Sequence, residues 1–294
     1  MLRRPMLRAA RLALLFVTVS VAASVTAPAG AAELKLATWN IAWLTTKPTG
    51  HPDLPENVRA RAAADLALLR DYARRLAADV IALQEVDGPE AAALVLPPAE
   101  WTVFFPDESD VQRVAVAVRR GLPARRHPDL AGLDLNPRAR YSLRRGVDVT
   151  VGEGDAALRV LSVHLNAGCR EPDDEGRACD NLARQAAILA AWIGERQAAG
   201  EAFAVAGDFN RRMDRDPVIL PALERAAPLT RTTAGRSNPC WGGRPFIDHI
   251  LLGGPARARL VPDSLRVLVY AERAAEYRAR LSDHCPVSVT LRDP

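Results

Sequence analysis

The 294-residue sequence has no glycine-rich phosphate loop, no serine nucleophile elbow, no CxxC pair and no clustered histidines. These absences argue against phosphate-loop nucleotide binding, serine-hydrolase chemistry and a structural zinc site. Aromatic residues make up only 5%, which leaves little from which to build an extended aromatic hairpin for lipid insertion. Lysine occurs twice, at Lys35 and Lys47, so arginine carries nearly all the basic charge. Beyond residue 32 no hydrophobic run is long enough to span a membrane, and neither an internal repeat nor a disordered linker interrupts the chain. One compact α/β domain built from two sheets is the economical organisation.

The N-terminus has the layout of a secretory signal. Arg3, Arg4, Arg8 and Arg11 precede an apolar run from Leu12 to Val25, and small residues follow at Ala29, Ala31 and Ala32. A helix of that length covers about 21 Å, short of the roughly 30 Å hydrocarbon core. The expectation is a cleaved segment over residues 1–32, a mature domain over 33–294, export to the periplasm or the exterior, and no stable membrane anchor. The formal charge of +4 then falls to near zero, because the first 32 residues hold four arginines and no acid. The pI near 9.1 is therefore no argument for nucleic-acid binding, which only a local patch could support.

Four cysteines remain, an even number that suits an oxidising compartment. Cys169 and Cys179 bracket the polar stretch GCREPDDEGRAC, which a disulfide would staple. Cys240 with Cys285 follows by elimination, the alternative being two free buried thiols.

Apolar alternation predicts strands at 34–44, 79–88, 101–105, 113–119, 146–151, 157–165, 202–206, 246–252, 265–270 and 286–291. Helical spacing covers 57–79, with Leu66, Leu69, Tyr72, Ala73 and Leu76 on one stripe, and 177–200, which closes on a glycine. A short helix is expected after Asp216-Pro217. Strands otherwise made of valine, leucine and alanine finish on polar groups: Asn40, Gln84-Glu85, His164-Asn166, Asp208-Asn210, Asp248-His249 and Asp283-His284. Each alone reads equally well as a turn residue, a cap or a satisfied core histidine. Together they supply hard oxygens, carboxamides and imidazoles at the ends where open sheets place their chemistry. Carboxylates with amides suit Mg2+ or Mn2+, and an imidazole beside a carboxylate is an oriented proton-transfer group. That combination describes metal-assisted hydrolysis of a phosphate ester.

The blocks TWN (38–40), LQEV (83–86), HLN (164–166), GDFN (207–210), IDHILL (247–252) and SDHCPV (282–287) resemble, in order, the motifs of the endonuclease/exonuclease/phosphatase superfamily. The resemblance implies a DNase I-like, four-layer α/β/β/α sandwich of two mixed sheets. It also implies metal binding by Asn40 and Glu85, completed by Asp283. Asp208 and Asn210 match the pair that positions the attacking water, His284 with Asp248 the imidazole–carboxylate dyad, and His164 the group contacting the scissile phosphate. Whether Asp208 or His284 takes the proton from water stays open. Ala42 departs from the pattern, since many members of the superfamily carry an acid there, and this removes one carboxylate from a second metal site.

Nucleases, sphingomyelinases and inositol-phosphate phosphatases share this site and differ in their loops. The arginines of 113, 119–127, 144–145 and 211–212, with Asn166, are candidate substrate contacts, Arg113 and Arg144 foremost. The reading is a secreted, monomeric, Mg2+-dependent phosphodiesterase acting on nucleic acid. A lipid or inositol-phosphate phosphoesterase is the first alternative, and a non-catalytic binding module on the same fold the second.

Overall fold

The computed structural model describes Leu2 and residues 33–139, 143–171 and 173–293; the expected signal segment lies outside the described residues. Two six-stranded sheets form the centre. The first contains β1 (Glu33–Leu44), β2 (Val80–Val86), β3 (Trp101–Phe104), β4 (Arg113–Arg119), β11 (Arg266–Val267) and β12 (Val287–Arg292), in the order β11-β12-β1-β2-β4-β3. The second contains β5 (Ala124–Arg126), β6 (Val147–Val151), β7 (Leu158–His164), β8 (Phe203–Asp208), β9 (Leu229–Arg231) and β10 (Asp248–Gly253), in the order β5-β6-β7-β8-β10-β9. Each sheet has one parallel pair, β1 with β2 and β7 with β8, and every other pairing is antiparallel.

A parallel pair needs a crossover, and here a helix supplies each one. α1 (Ala63–Leu76) joins β1 to β2, and α3 (Arg177–Ala198) joins β7 to β8. Strand alternation then divides the side chains between two surfaces. Odd-numbered Ala37, Trp39 and Ile41 pack outward with Leu69, Tyr72, Ala73 and Leu76 of α1. Leu36, Val80, Ala82 and Val116 face inward, against Val149, Val160, Ala204 and Ile250 of the other sheet. On the far side Leu161, Val163, Val205 and Leu251 meet Leu182, Leu189 and Trp192 of α3 and Leu223 of α4 (Ile219–Ala226). The result is the expected four-layer α/β/β/α sandwich. The short helices α2 (Pro89–Ala93), α5 (Ala256–Arg259) and α6 (Tyr277–Arg280) lie in the connections. No helix among the described residues is long and apolar enough to cross a membrane.

Several expected boundaries move. The helix expected over 57–79 begins only at Ala63: Ala62 is extended, with ψ 156°, and Arg61 ahead of it sends its side chain to the backbone of β1. The strand expected over 265–270 is reduced to Arg266–Val267, since only those two residues pair with β12 and Tyr270 turns into the core. Asp248 opens β10 instead of ending it, and Asp283-His284 precede β12. These strands run antiparallel to β8 and β1, so their beginnings lie at the same end of the sandwich as the ends of β1, β2, β7 and β8. Both expected disulfides form, Cys169–Cys179 and Cys240–Cys285.

His249 belongs to the core. It is fully buried on β10, edge-on to Phe209, with Nδ1 2.7 Å from the Thr233 hydroxyl and Nε2 3.2 Å from the Arg211 carbonyl. Those partners suit the neutral ring, with Nε2–H donating to the carbonyl. Burial, with a smaller contribution from Arg231, lowers its pKa to about 4. Below the ordinary histidine range the unfolded chain therefore binds a proton that the folded chain refuses, and stability falls as pH drops from about 6.5 to about 4. Over that window the stability advantage of the wild type over His249→Gln is expected to shrink by about 3 kcal/mol, measured by denaturant unfolding at stepped pH. A pH-independent difference would show that His249 is not held neutral.

Candidate functional site

The inward-facing rows change character toward one end of the sandwich. On β1 the row reads Leu36, Thr38, Asn40; on β7 Leu158, Val160, Ser162, His164; on β8 Ala204, Ala206, Asp208; and on the reversed β10 Leu252, Ile250, Asp248. Residues two apart share a face, so the face that packs the core also delivers the site. The middle of the row is a polar layer joining the sheets: Thr38 Oγ1 donates to Gln84 Oε1 at 3.2 Å, and Ser162 Oγ donates to the Leu83 carbonyl at 3.2 Å. One step further out, Asn40 Nδ2 donates to Asp208 Oδ2 at 3.1 Å and to Glu85 Oε1 at 3.0 Å.

Glu85 reaches this point by breaking the alternation. It has a φ of +61°, and opposite it Ala42 and Trp43 have +50° and +59°. Between the pairs Asn40↔Gln84 and Leu44↔Val86, three residues of β1 face a single residue of β2. Each left-handed non-glycine residue costs on the order of 1 kcal/mol. Arg61 offsets part of that cost: its half-buried guanidinium donates to the carbonyls of Ile41 (2.6 Å), Ala42 (2.6 Å), Trp43 (3.1 Å) and Leu281 (2.7 Å). The bulge also aims the Trp43 N–H at Glu85 Oε2, 3.1 Å away.

Asp208 and Asn210 converge where β8 ends. Asp208 ends β8, and Asn210 follows it in a left-handed turn, φ +52°. The Asn210 N–H donates to Asp208 Oδ1 at 2.8 Å, and its Nδ2 donates to the Leu165 carbonyl at 3.0 Å. Gly207 is required just before them, because a Cβ there would collide with the Val163 carbonyl on β7.

Asp248 pairs directly opposite Asp208, a like-charge arrangement that is unfavourable on its own. His284 relieves it. Its Nδ1 lies 2.8 Å from Asp248 Oδ2 and 3.0 Å from Oδ1, and its Nε2 is 3.8 Å from Asp208 Oδ2. Burial opposes a charged ring, yet Asp248 and then Asp208 outweigh it and hold the His284 pKa well above the ordinary range. Burial also raises the Asp208 carboxyl, to about 7, with Asp248 and Glu85 adding to the rise while His284 and the Asn210 N–H oppose it. The loop carrying His284 is pinned on several sides. Ser282 Oγ donates to the Asn40 carbonyl at 2.7 Å, the Tyr270 hydroxyl donates to the His284 carbonyl at 3.0 Å, and Cys285 is tied to Cys240. His164 completes the floor, with Nε2 3.7 Å from Asp208 Oδ2 and 3.8 Å from Glu85 Oε1. Burial, then Arg144 and His284, push its pKa well below the ordinary value, so the ring is neutral.

Glu85, His164, Asn166, Asp208, Asn210, Asp283, His284 and Arg144 all line one cavity of about 720 Å3. Asn40 and Asp248 support it from behind through Glu85, Asp208 and His284. Arg113 does not reach it. The β2–β4 register places Arg113 beside Val86, where it stacks over Phe105, lies 3.9 Å from Asp87 and donates to the Glu108 carbonyl. Arg211 is buried on Asp216 and the Cys169 and Glu171 carbonyls, and Arg125 and Arg126 lie on β5 at the sheet edge. Trp43, Arg59, Arg61, Arg170 and Arg278 line the cavity without having been singled out by sequence. Nothing in their local spacing distinguishes them from other surface positions of an arginine-rich chain.

The profile of the Endonuclease/Exonuclease/phosphatase family matches residues 37–284. The chain belongs to that family. No curated protein matches the sequence significantly. Among solved structures the chain is similar to TDP2 from Caenorhabditis elegans, at 16% identity over 88% of this chain and 75% of that one, TM-score 0.60. It is also similar to the AP endonuclease LMAP from Leishmania major, at 16% identity over 89% and 88%, TM-score 0.56, and to Danio rerio TDP2 complexed with a single-strand DNA product, at 15% over 88% and 98%, TM-score 0.53. At such identities these likenesses establish the DNase I-like fold.

Members of this family commonly use a divalent cation, and the donor set here fits a hard one. Glu85 and Asp208 bring carboxylate oxygens to the cavity floor, where burial, and after it Asp248 and Glu85, raise the Asp208 carboxyl and a cation would favour its ionised form. Asn40 turns its NH2 toward both carboxylates and its oxygen toward the Ala42 N–H at 2.9 Å, so it orients the acids. Atoms of Asp208, Asp248 and His284 also lie within 4.8 Å of one another. Both Asp248 oxygens, however, are engaged by His284 Nδ1, which competes with a metal there.

The ring charge is directly measurable. In the metal-free protein the His284 imidazole is expected to remain protonated above pH 7 by NMR titration, and Asp248→Asn is expected to lower its midpoint by one or more pH units. An ordinary midpoint in the wild type would refute the ion pair.

Proposed function

We propose that this protein is a secreted, Mg2+- or Mn2+-dependent phosphodiesterase that hydrolyses nucleic-acid diesters by in-line attack of water. Family membership supports the coarser part of that reading, a phosphoester hydrolase. The observation that carries the finer part is the meeting of Glu85, Asp208, His164 and the Asp248–His284 pair at the floor of one cavity whose wall includes Arg59, Arg144, Arg170 and Arg278.

A divalent cation held by Glu85, with Asp283 on the same cavity wall, would supply Lewis-acid polarisation of a phosphoryl oxygen and leave Asp208 free to act as a base. The remaining roles belong to side chains. His284, kept cationic by Asp248, donates from Nε2 to the phosphoryl oxygens and offsets the charge that grows on them. Being already protonated it is a poor base, which assigns proton acceptance from the attacking water to Asp208. Asn210 holds Asp208 in position through its N–H, and neutral His164 contacts the phosphate from the other side. As the new P–O bond forms, the ester P–O bond breaks and its electron pair leaves on the ester oxygen, which takes up a proton from solvent. Export is part of the proposal: two disulfides suit an oxidising compartment, and the charged-then-apolar layout of residues 1–32 suits a signal peptide.

The test is one purified sample assayed on plasmid DNA, RNA, sphingomyelin vesicles and inositol phosphates. Nucleic acid is expected to be cut, activity to vanish in EDTA and return with Mg2+ or Mn2+, and Glu85→Gln to lower kcat/KM by about 10²-fold or more. Full turnover in excess chelator would sink the metal-dependent mechanism. Release of product from sphingomyelin or inositol phosphates alone would move the substrate to the lipid or inositol class.

A further inference from the structure

The cavity does not end at His284. A smaller hollow of about 80 Å3 opens on the other side, and the two share Arg170, Arg278, Asp283 and His284 as a common wall. Much of the outer side of the second hollow comes from the segment 238–245 between β9 and β10. That segment is firmly held. Cys240 is bonded to Cys285, the residue after His284, and Asn238 bridges to Arg244 across a short antiparallel turn. Trp241, left-handed at φ +46°, donates Nε1–H to the Ser282 carbonyl at 2.9 Å and lies over Tyr270 at 5.7 Å. Ser282 is the residue that ties the His284 loop to Asn40. The same crosslinks therefore fix the loop's position relative to the reacting centre.

Asp248 and Asp283 also line the smaller hollow, but both lie against His284 and not against the arginines of the trough. Arg212 is paired with Glu171, but Arg170, Arg244 and Arg278 have no carboxylate within 4.0 Å among the described residues. Arg244 is exposed, at the rim of the smaller hollow. A terminal phosphomonoester would fill one side of His284 and leave the other side's cations without a partner. A strand running through the trough would place anions on both sides.

We propose that the two hollows together seat a nucleic-acid strand on both sides of the scissile phosphate, so that internal bonds are cut, and that Arg244 holds the strand phosphate lying beyond His284. This rests on the phosphodiesterase reading above. It adds a specificity element, the disulfide-held segment 238–245, that acts on the strand and not on the bond being broken.

The test separates binding from cleavage. Binding is read by fluorescence anisotropy with the full disulfide-bonded protein in EDTA, using a short single-stranded DNA carrying different dyes at its two ends; cleavage of the same DNA is then read with Mg2+. Arg244→Ala is expected to raise Kd about tenfold at low salt and to reduce the slope of log Kd against log salt by about 0.7, one single-strand phosphate contact. Arg184→Ala, on the outer helical layer, is expected to leave both unchanged. With Mg2+ the wild type is expected to release fragments lacking one or the other dye from cuts inside the strand. An unaltered salt slope in Arg244→Ala overturns the assignment of Arg244, and single-nucleotide release from an end overturns internal cutting. Arg244-dependent binding without any hydrolysis would leave the trough standing and remove the phosphodiesterase reading instead.

Discussion

The gathering of three carboxylates, buried Asp208 and Asp248 and half-buried Glu85, within one shared site between two sheets is the constraint on which the rest of the structure depends. Buried charges of one sign are expensive unless paired or hydrogen-bonded. Asn40 donates to two of them from the first sheet, and His284 lies against the third and near the second. Asn40 on β1 and His284 in the loop leading into β12 belong to the first sheet's side, opposite Asp208 and Asp248, so the site exists only when the sheets are face to face. Folding and the construction of the site are thus the same event.

The strain around the site follows from that convergence. Ala42, Trp43, Glu85 and Asn210 are all left-handed, and all line the cavity. Strained backbone persists where its surroundings over-determine it, and here those surroundings are visible in the carbonyls gathered by Arg61 and in the hydrogen bonds made by Ser282 and Tyr270. The Cys240–Cys285 bond adds a covalent restraint to the same loop. The site is consequently held from its outer side as well as through the strands.

Much of this was legible in the sequence. The inward rows of β1, β7 and β8 announce both sheet and site, because a period of two carries Leu36, Thr38 and Asn40, or Val160, Ser162 and His164, along one face. Asp248 and Asp283 were assigned to the wrong ends of their strands, since strand direction is a tertiary property that an apolar run does not encode. Asn210 reaches Asp208 through a left-handed turn, which the apolar run before it does not announce. Arg113 lies outside the cavity for a related reason: alternation tells which face a side chain takes, whereas its partners Asp87 and Phe105 come from neighbouring segments. Arg61 carries no signal at all, because a helical spacing of alanine and arginine conceals a residue that lies ahead of the helix and binds the carbonyls of a distant bulge.

Asp208 is where stability and chemistry pull hardest against each other, and thermal unfolding of the metal-free protein at pH 8 exposes the conflict most directly. If its charge is held against neighbouring like charges for the sake of the reaction, Asp208→Asn will unfold at a higher temperature than the wild type while losing hydrolysis of nucleic acid. A lower unfolding temperature with hydrolysis retained would contradict that origin of the site.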